Sequence, residues 1–218
     1  VNQPIRVLLV DDEPLVRSGL AVILGAHGDI EVVGEASDGT EVWPEVRRLQ
    51  PDLVMMDVRM TQMDGIEATA QLVALVVDRP RILILTTFES DDYVYQALKA
   101  GADGFLLKRA RPEQLLHTVR AVAAGDSIVF PAKLRELVAV HGNNSRDRVA
   151  AAGLSSREAE VLRHLASGFN NQEIAQAMFL GTETIKTHIG SILSKLRVRD
   201  RTQAVIAAYE SDFMRPGA

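Results

Sequence analysis

The chain has 218 residues, 47% of them apolar, with a formal charge of −5 and no cysteine. That length accommodates two compact domains or one large one, and the missing cysteines exclude disulfides, thiolate zinc sites and a cysteine nucleophile. The charge is unevenly divided: residues 1–124 carry 12 basic and 19 acidic side chains, net −7, whereas residues 155–218 carry 8 and 7, net +1. Such a split fits two modules with different partners.

The opening Val1-Asn2-Gln3-Pro4 has no basic run, and nowhere do about eighteen apolar residues follow one another, so the expectation is a soluble, cytoplasmic protein without a membrane span. Short runs rich in Val, Ile and Leu then alternate with helix-period stretches. The strands are predicted at "IRVLLV" (5–10), "IEVVGEA" (30–36), "DLVMMD" (52–57), "RILILTT" (81–87) and "GFLL" (104–107). The helices are predicted at 14–26, 40–49, 66–77, 91–100 and 112–124. Continuous rather than alternating apolar strands belong in a sheet covered on both faces, so the fold class is α/β, a five-stranded parallel doubly wound domain over residues 1–124.

After Gly125 the rhythm stops. "PAKLRELVAVHG" reads as one short helix and "NNSRDRVAAAG" as a polar, glycine-bounded stretch, giving a linker over 125–151. Residues 152–218 read as a small all-α domain. Ser155 with Glu158 and Asn170 with Glu173 form two capping boxes, each opening a helix. A third helix over 182–196 has Ile185, Ile189, Ile192, Leu193 and Leu196 on one side. On the other lie Glu183, Lys186, Thr187, Gly190 and Ser194, the polar stripe that a helix entering a major groove needs.

The strand ends carry the chemistry. Asp11 and Asp12 follow the first strand, Asp57 ends the third, Thr86 the fourth, and Lys108 follows the fifth. Parallel doubly wound sheets bind ligands at these carboxyl ends. Three converging carboxylates repel one another unless a divalent cation neutralises them, and an all-oxygen donor set points to Mg²⁺. A carboxylate nucleophile, a metal, an ammonium and a hydroxyl together make a phosphoryl site.

Residues 5–124 resemble the receiver domains of two-component response regulators, through "VDDE" (10–13), "MMD" (55–57), "MDG" (63–65), Thr86 and "ALKAGADGFLLK" (97–108). The resemblance implies a flavodoxin-like fold and Asp57 as acceptor of a phosphoryl group from a sensor histidine kinase or a small phosphodonor. It also implies Mg²⁺ on Asp12, Asp57 and the backbone carbonyl of Arg59, with Asp11 an outer ligand through water. Thr86 and Lys108 would meet the phosphoryl group, and Phe105 would move with Thr86 as the aromatic member of the switch. The chain departs from the family pattern at Thr61 and Arg109, where proline and an acid or proline are common.

Residues 152–212 resemble the LuxR-type helix-turn-helix, through "LSSREAEVL", "NNQEIA", "TIKTHIGSILSKL" and "RTQAV", and the pair resembles the NarL/FixJ group of transcription regulators. By position, Lys186, Thr187 and Gly190 would face base edges or nearby phosphates of double-stranded DNA, with Thr184, His188 and Lys195 on the backbone side. A module of net +1 gains little from phosphates alone, so two copies on a paired site are expected, with Val205, Ala208 and Tyr209 as a candidate dimer surface. Packing of that stripe within the domain is the competing role. Two rivals differ in class. An aspartyl-phosphate phosphatase needs a second aspartate two residues past its nucleophile, where Arg59 stands. A degenerate receiver, binding DNA regardless of phosphorylation, is disfavoured by the intact acidic set.

Overall fold

The computed structural model describes residues 3–76, 78–87, 91–125, 136–138, 140, 149, 152–211 and 213–214. Most of the linker expected over 125–151 lies outside these residues; of its expected short helix, residues 136–138 and 140 are described and are helical. The chain divides into two compact units, Val1–Gly125 and Asp126–Ala218. No helix among the described residues is long and apolar enough to cross a membrane.

The first unit alternates β1 (Ile5–Val10), α1 (Pro14–Gly25), β2 (Ile30–Ala36), α2 (Gly39–Leu49), β3 (Leu53–Asp57), α3 (Gly65–Leu75), β4 (Arg81–Thr86), α4 (Asp91–Ala100), β5 (Gly104–Leu107) and α5 (Pro112–Ala123). All strand pairs are parallel, in the order β2-β1-β3-β4-β5. The run Leu53–Met56 is fully buried, as are Leu8, Ile82, Leu83 and Ile84. These continuous apolar strands need helices on both faces, and that requirement selects the doubly wound arrangement over a half-exposed antiparallel sheet. The order changes direction at β1, so the crevice between β1 and β3 at their carboxyl ends is where such a fold binds ligands.

The amino-terminal rim of the sheet is closed by carboxylates. Asp52 accepts the Arg6 amide at 2.8 Å. Asp103, buried, accepts the Ile82 amide at 2.9 Å and the guanidinium groups of Arg79 and Arg81 at 2.6 and 3.0 Å. A buried carboxylate is stable only when paired in this way.

The second unit contains α6 (Ser156–Ala166), α7 (Asn171–Met178), α8 (Thr182–Leu196) and α9 (Arg201–Glu210). Both expected capping boxes are formed: Ser155 and Glu158 exchange bonds at the start of α6, and Asn170 and Glu173 at the start of α7. Val161, Leu162, Leu165, Ile174, Ile185, Ile192 and Leu196 are buried, so the core comes from the helix-period faces read in the sequence. The turn from α7 to α8 places Phe179 at φ 55°, with its side chain in solvent.

Candidate functional site

The strand ends bring five groups together. Asp11 immediately follows β1 and is 1% exposed, while Asp57, the last residue of β3, and Thr86, the last of β4, are each 6% exposed. Lys108 follows β5, its amide bonded to the Thr86 carbonyl at 2.8 Å. Its Nζ donates to Asp57 Oδ2 at 3.0 Å and stands 2.7 Å from Asp11 Oδ2 and 3.7 Å from Glu13 Oε1. The Asp11 contact is an ion pair by distance that lies off the line of a hydrogen bond, so Asp11 Oδ2 is a buried oxygen with no directed donor.

Carboxylate oxygens of Asp11, Asp12 and Asp57 all lie within 4.8 Å of one another, and Asp12 is exposed at the mouth. The adjoining cavity, about 310 Å³, is lined by Asp12, Asp57, Arg59, Thr86, Tyr93 and Lys108 among others. Burial pushes the Asp57 carboxyl above its ordinary value despite the Lys108 hydrogen bond and charge, and the nearby Asp11 adds to the rise. Burial opposes the Lys108 charge, but the attraction of the Asp11 and Asp57 carboxylates beside it outweighs this and raises its pKa. One ammonium therefore serves two acids with a third close by. An all-oxygen cluster with an undirected buried oxygen fits a hard divalent cation.

Phe105 does not line the cavity. It is buried in β5, paired in register with Ile84. Glu13, the last residue of "VDDE", and Tyr93 of α4, which no sequence motif marks, also line the cavity. The Arg59 guanidinium lies over the Tyr93 ring, 5.5 Å from its centre.

In the second unit, α8 presents Glu183, Thr184, Lys186, Thr187, Gly190 and Ser194 to solvent, with His188 half-buried. Lys186 Nζ pairs with Glu183 Oε1 at 2.7 Å, and Thr187 Oγ1 donates to the Glu183 carbonyl at 3.0 Å. A side chain added at Gly190 would meet nothing within 4 Å, so no packing within the chain demands glycine there.

One expectation is corrected and another gains a structural role. Lys195, expected on the DNA-backbone side, donates to Glu158 Oε2 at 2.7 Å and to the Gly153 carbonyl at 3.3 Å, with its side chain 37% exposed. Glu158 is a buried carboxylate, and Lys195 is the cation that compensates it. Lys195, Ser191 and the Ser155 amide hold its carboxyl down to about 2 against desolvation. The stripe expected to form a dimer surface is also internal: Val205, Ala208 and Tyr209 are buried, and the Tyr209 hydroxyl donates to the Ala166 carbonyl of α6 at 2.7 Å. The competing role, packing within the domain, is what these residues do.

Residues 7–120 match the model of the response regulator receiver domain, and residues 152–208 that of the bacterial regulatory proteins of the luxR family. The chain is a response regulator. The regulator is 42% identical over 212 residues to the response regulator protein VraR of Staphylococcus aureus, covering 96% of this chain and 99% of that one. It is also similar to the crystal structure of the response regulator ChrA of a heme-sensing two-component system, with 36% identity, 97% and 99% coverage and a TM-score of 0.54. The RcsB–DNA complex aligns at 25% identity over 96% of this chain and 99% of that one, with a TM-score of 0.55. The regulator is thus of the NarL/FixJ type, a two-component transcription regulator rather than an enzyme, with an acidic pocket suited to a phosphorylatable aspartate.

Proposed function

We propose that Asp57 is the phosphoacceptor and that its phosphorylation by a sensor histidine kinase controls DNA binding by α8. The observation that carries this reading is the Lys108 ammonium, 3.0 Å from Asp57 and 2.7 Å from Asp11 at the mouth of a cavity that also holds Thr86. An Asp57 oxygen attacks phosphorus in line as the bond from phosphorus to the histidine nitrogen breaks, and the bond's electron pair leaves with that nitrogen. Asp12, Asp57 and the Arg59 carbonyl would hold Mg²⁺ directly and Asp11 through water. When bound, the ion neutralises the acids and the phosphoryl oxygens.

Lys108 then exchanges its Asp57 contact for a phosphoryl oxygen, and the Thr86 hydroxyl donates to another. Movement of Thr86 opens space that Phe105, in the neighbouring strand, follows. The two arrangements form an equilibrium, and the phosphoryl group shifts it only by preferring one of them.

On the DNA side, Lys186, Thr187 and Gly190 face the major groove, with Thr184 and His188 at its edge. The similarity to the RcsB chain of the RcsB–DNA complex supports this docking. Lys186 would leave Glu183 for the DNA. With a net charge of +1 on residues 155–218, single copies bind weakly and a homodimer on paired half-sites supplies the affinity. A cytoplasmic location follows from these partners.

The test is Phos-tag electrophoresis of wild type and Asp57→Ala with acetyl phosphate and Mg²⁺, followed by sizing and footprinting at fixed salt. Wild type alone should shift, dimerise and protect paired half-sites more strongly. An equal mobility shift in both proteins would refute the acceptor assignment.

A further inference from the structure

The loop from β3 to α3, residues 58–64, leaves Asp57 and borders the cavity. It is held at two places. At its near end the Val58 amide donates to Leu85 O at 3.2 Å, and Gly65 N closes back on Val58 O at 2.9 Å. A side chain at position 65 would stand 2.1 Å from the Asp57 carbonyl, so only glycine permits this closure. At its far end the loop is gripped by Asp38, which follows β2. Asp38 Oδ2 accepts the Gln62 amide at 2.8 Å, and Oδ1 accepts the Met63 amide at 3.3 Å. The neighbouring Gly39 amide donates to Met63 O at 3.2 Å, and a side chain at position 39 would come within 2.5 Å of that oxygen.

Asp38 is 4% exposed and also caps α2 through the Thr40 amide at 3.0 Å and the Thr40 hydroxyl at 2.8 Å. Its burial disfavours the charge, but these four bonds outweigh the cost and lower its pKa, so it remains a carboxylate at neutral pH. The sheet order gives the grip its importance. β1 lies between β2 and β3, so the Asp38 bonds tie together the loops that follow its two neighbours, on the edge where β1 itself ends in Asp11 and Asp12. Arg59, Met60 and Thr61 are the three residues between the two fastenings.

We infer that Asp38 is a positioning residue for the phosphorylation site, fastening the loop across the acidic cluster so that the Arg59 backbone carbonyl faces the cation. This rests on the proposed Mg²⁺ site. Without the two Asp38 bonds the loop is held at its far end by the Gly39 amide on Met63 O alone, the span between fastenings grows from three residues to four, and more of the carbonyl's ordering falls to the moment when the cation binds. Supporting groups around a metal site typically change affinity by about 10- to 100-fold.

The test is calorimetric titration of the full chain with Mg²⁺, using wild type, Asp38→Ala, Asp38→Asn and, as a destabilised control away from the cavity, Val122→Ala. Asp38→Ala should weaken Mg²⁺ about tenfold, the control less than twofold, and Asp38→Asn, which keeps one carbonyl acceptor, should fall between. Phosphorylation by acetyl phosphate should require more Mg²⁺ in Asp38→Ala yet approach the wild-type rate at saturation. If Asp38→Ala fails to fold, Asp38→Asn alone decides by the same criterion. A wild-type Mg²⁺ affinity in the Asp38 variants would overturn the inference and leave the site reading intact. A wild-type protein that binds no Mg²⁺ would overturn both.

Discussion

Asp57 is the residue where folding and function pull in opposite directions. Burial raises its pKa, and Lys108, shared with Asp11, only partly offsets the rise. A carboxyl with a raised folded-state pKa contributes stability that is complete below its unfolded value, near 3.8, and is lost as pH climbs through the folded value. At neutral pH without metal the ionised group therefore strains the first unit. Asp57→Asn should melt higher than wild type in metal-free buffer at pH 7, by a few degrees for each kcal/mol recovered, about 2–8 °C in a domain of this size. The gap should close as the pH is lowered toward 4. Adding Mg²⁺ should raise the wild-type midpoint more than that of the variant. A pH-independent gap in the melting curves would count against the electrostatic account. The acids, Thr86 and Lys108 were legible in the sequence because they end apolar runs, a position that parallel topology converts into a shared edge. The grip of Asp38 was not. Its cap on α2 is a local pattern, but its bonds to Gln62 and Met63 join residues 24 and 25 positions apart through a contact that only the folded sheet defines.

At the scale of the element, α8 shows how far helical periodicity reaches and where it stops. Spacing separated the buried Ile185, Ile192 and Leu196 from the exposed Lys186, Thr187 and Gly190. It could not decide Lys195, which a turn count leaves near the boundary and which the buried Glu158 of α6 draws inward. α9 raised the same difficulty: one apolar side is visible in its sequence, yet Val205, Ala208 and Tyr209 are all enclosed. The consequence for Lys195 can be measured. As a phosphate contact it would contribute about 0.9 to the slope of log affinity against log salt, so its removal would flatten that slope. As the partner of Glu158 it positions α8 instead. Lys195→Met should weaken DNA binding and lower thermal stability while the salt slope stays within error of wild type. Binding isotherms at four or five salt concentrations separate the cases.

For the whole molecule, the division of charge anticipated the division of structure. The acidic front belongs to a unit that ends at Gly125, and the nearly balanced tail to a second. Continuous apolar strands marked the sheet as parallel and doubly wound, whereas the strand order is a property of the folded sheet that composition does not carry. Within the first unit the two rims of the sheet are built to opposite specifications. The cavity rim gathers like charges that need an added cation. At the other, Asp103 and Asp52 already have their donors. A phosphoryl group on Asp57 would act at the Thr86 end of β4, where the Lys108 amide donates to the Thr86 carbonyl at 2.8 Å, and away from the opposite end, where the Asp103 amide donates to the Ile82 carbonyl at 2.8 Å. Hydrogen exchange on addition of acetyl phosphate should therefore change at the amides around Thr86 and Lys108 and leave those of Ile82 and Asp103 as slow as before. Under the proposed phosphorylation, a signal that enters at the cavity rim is expected to be read out from that same end of the sheet.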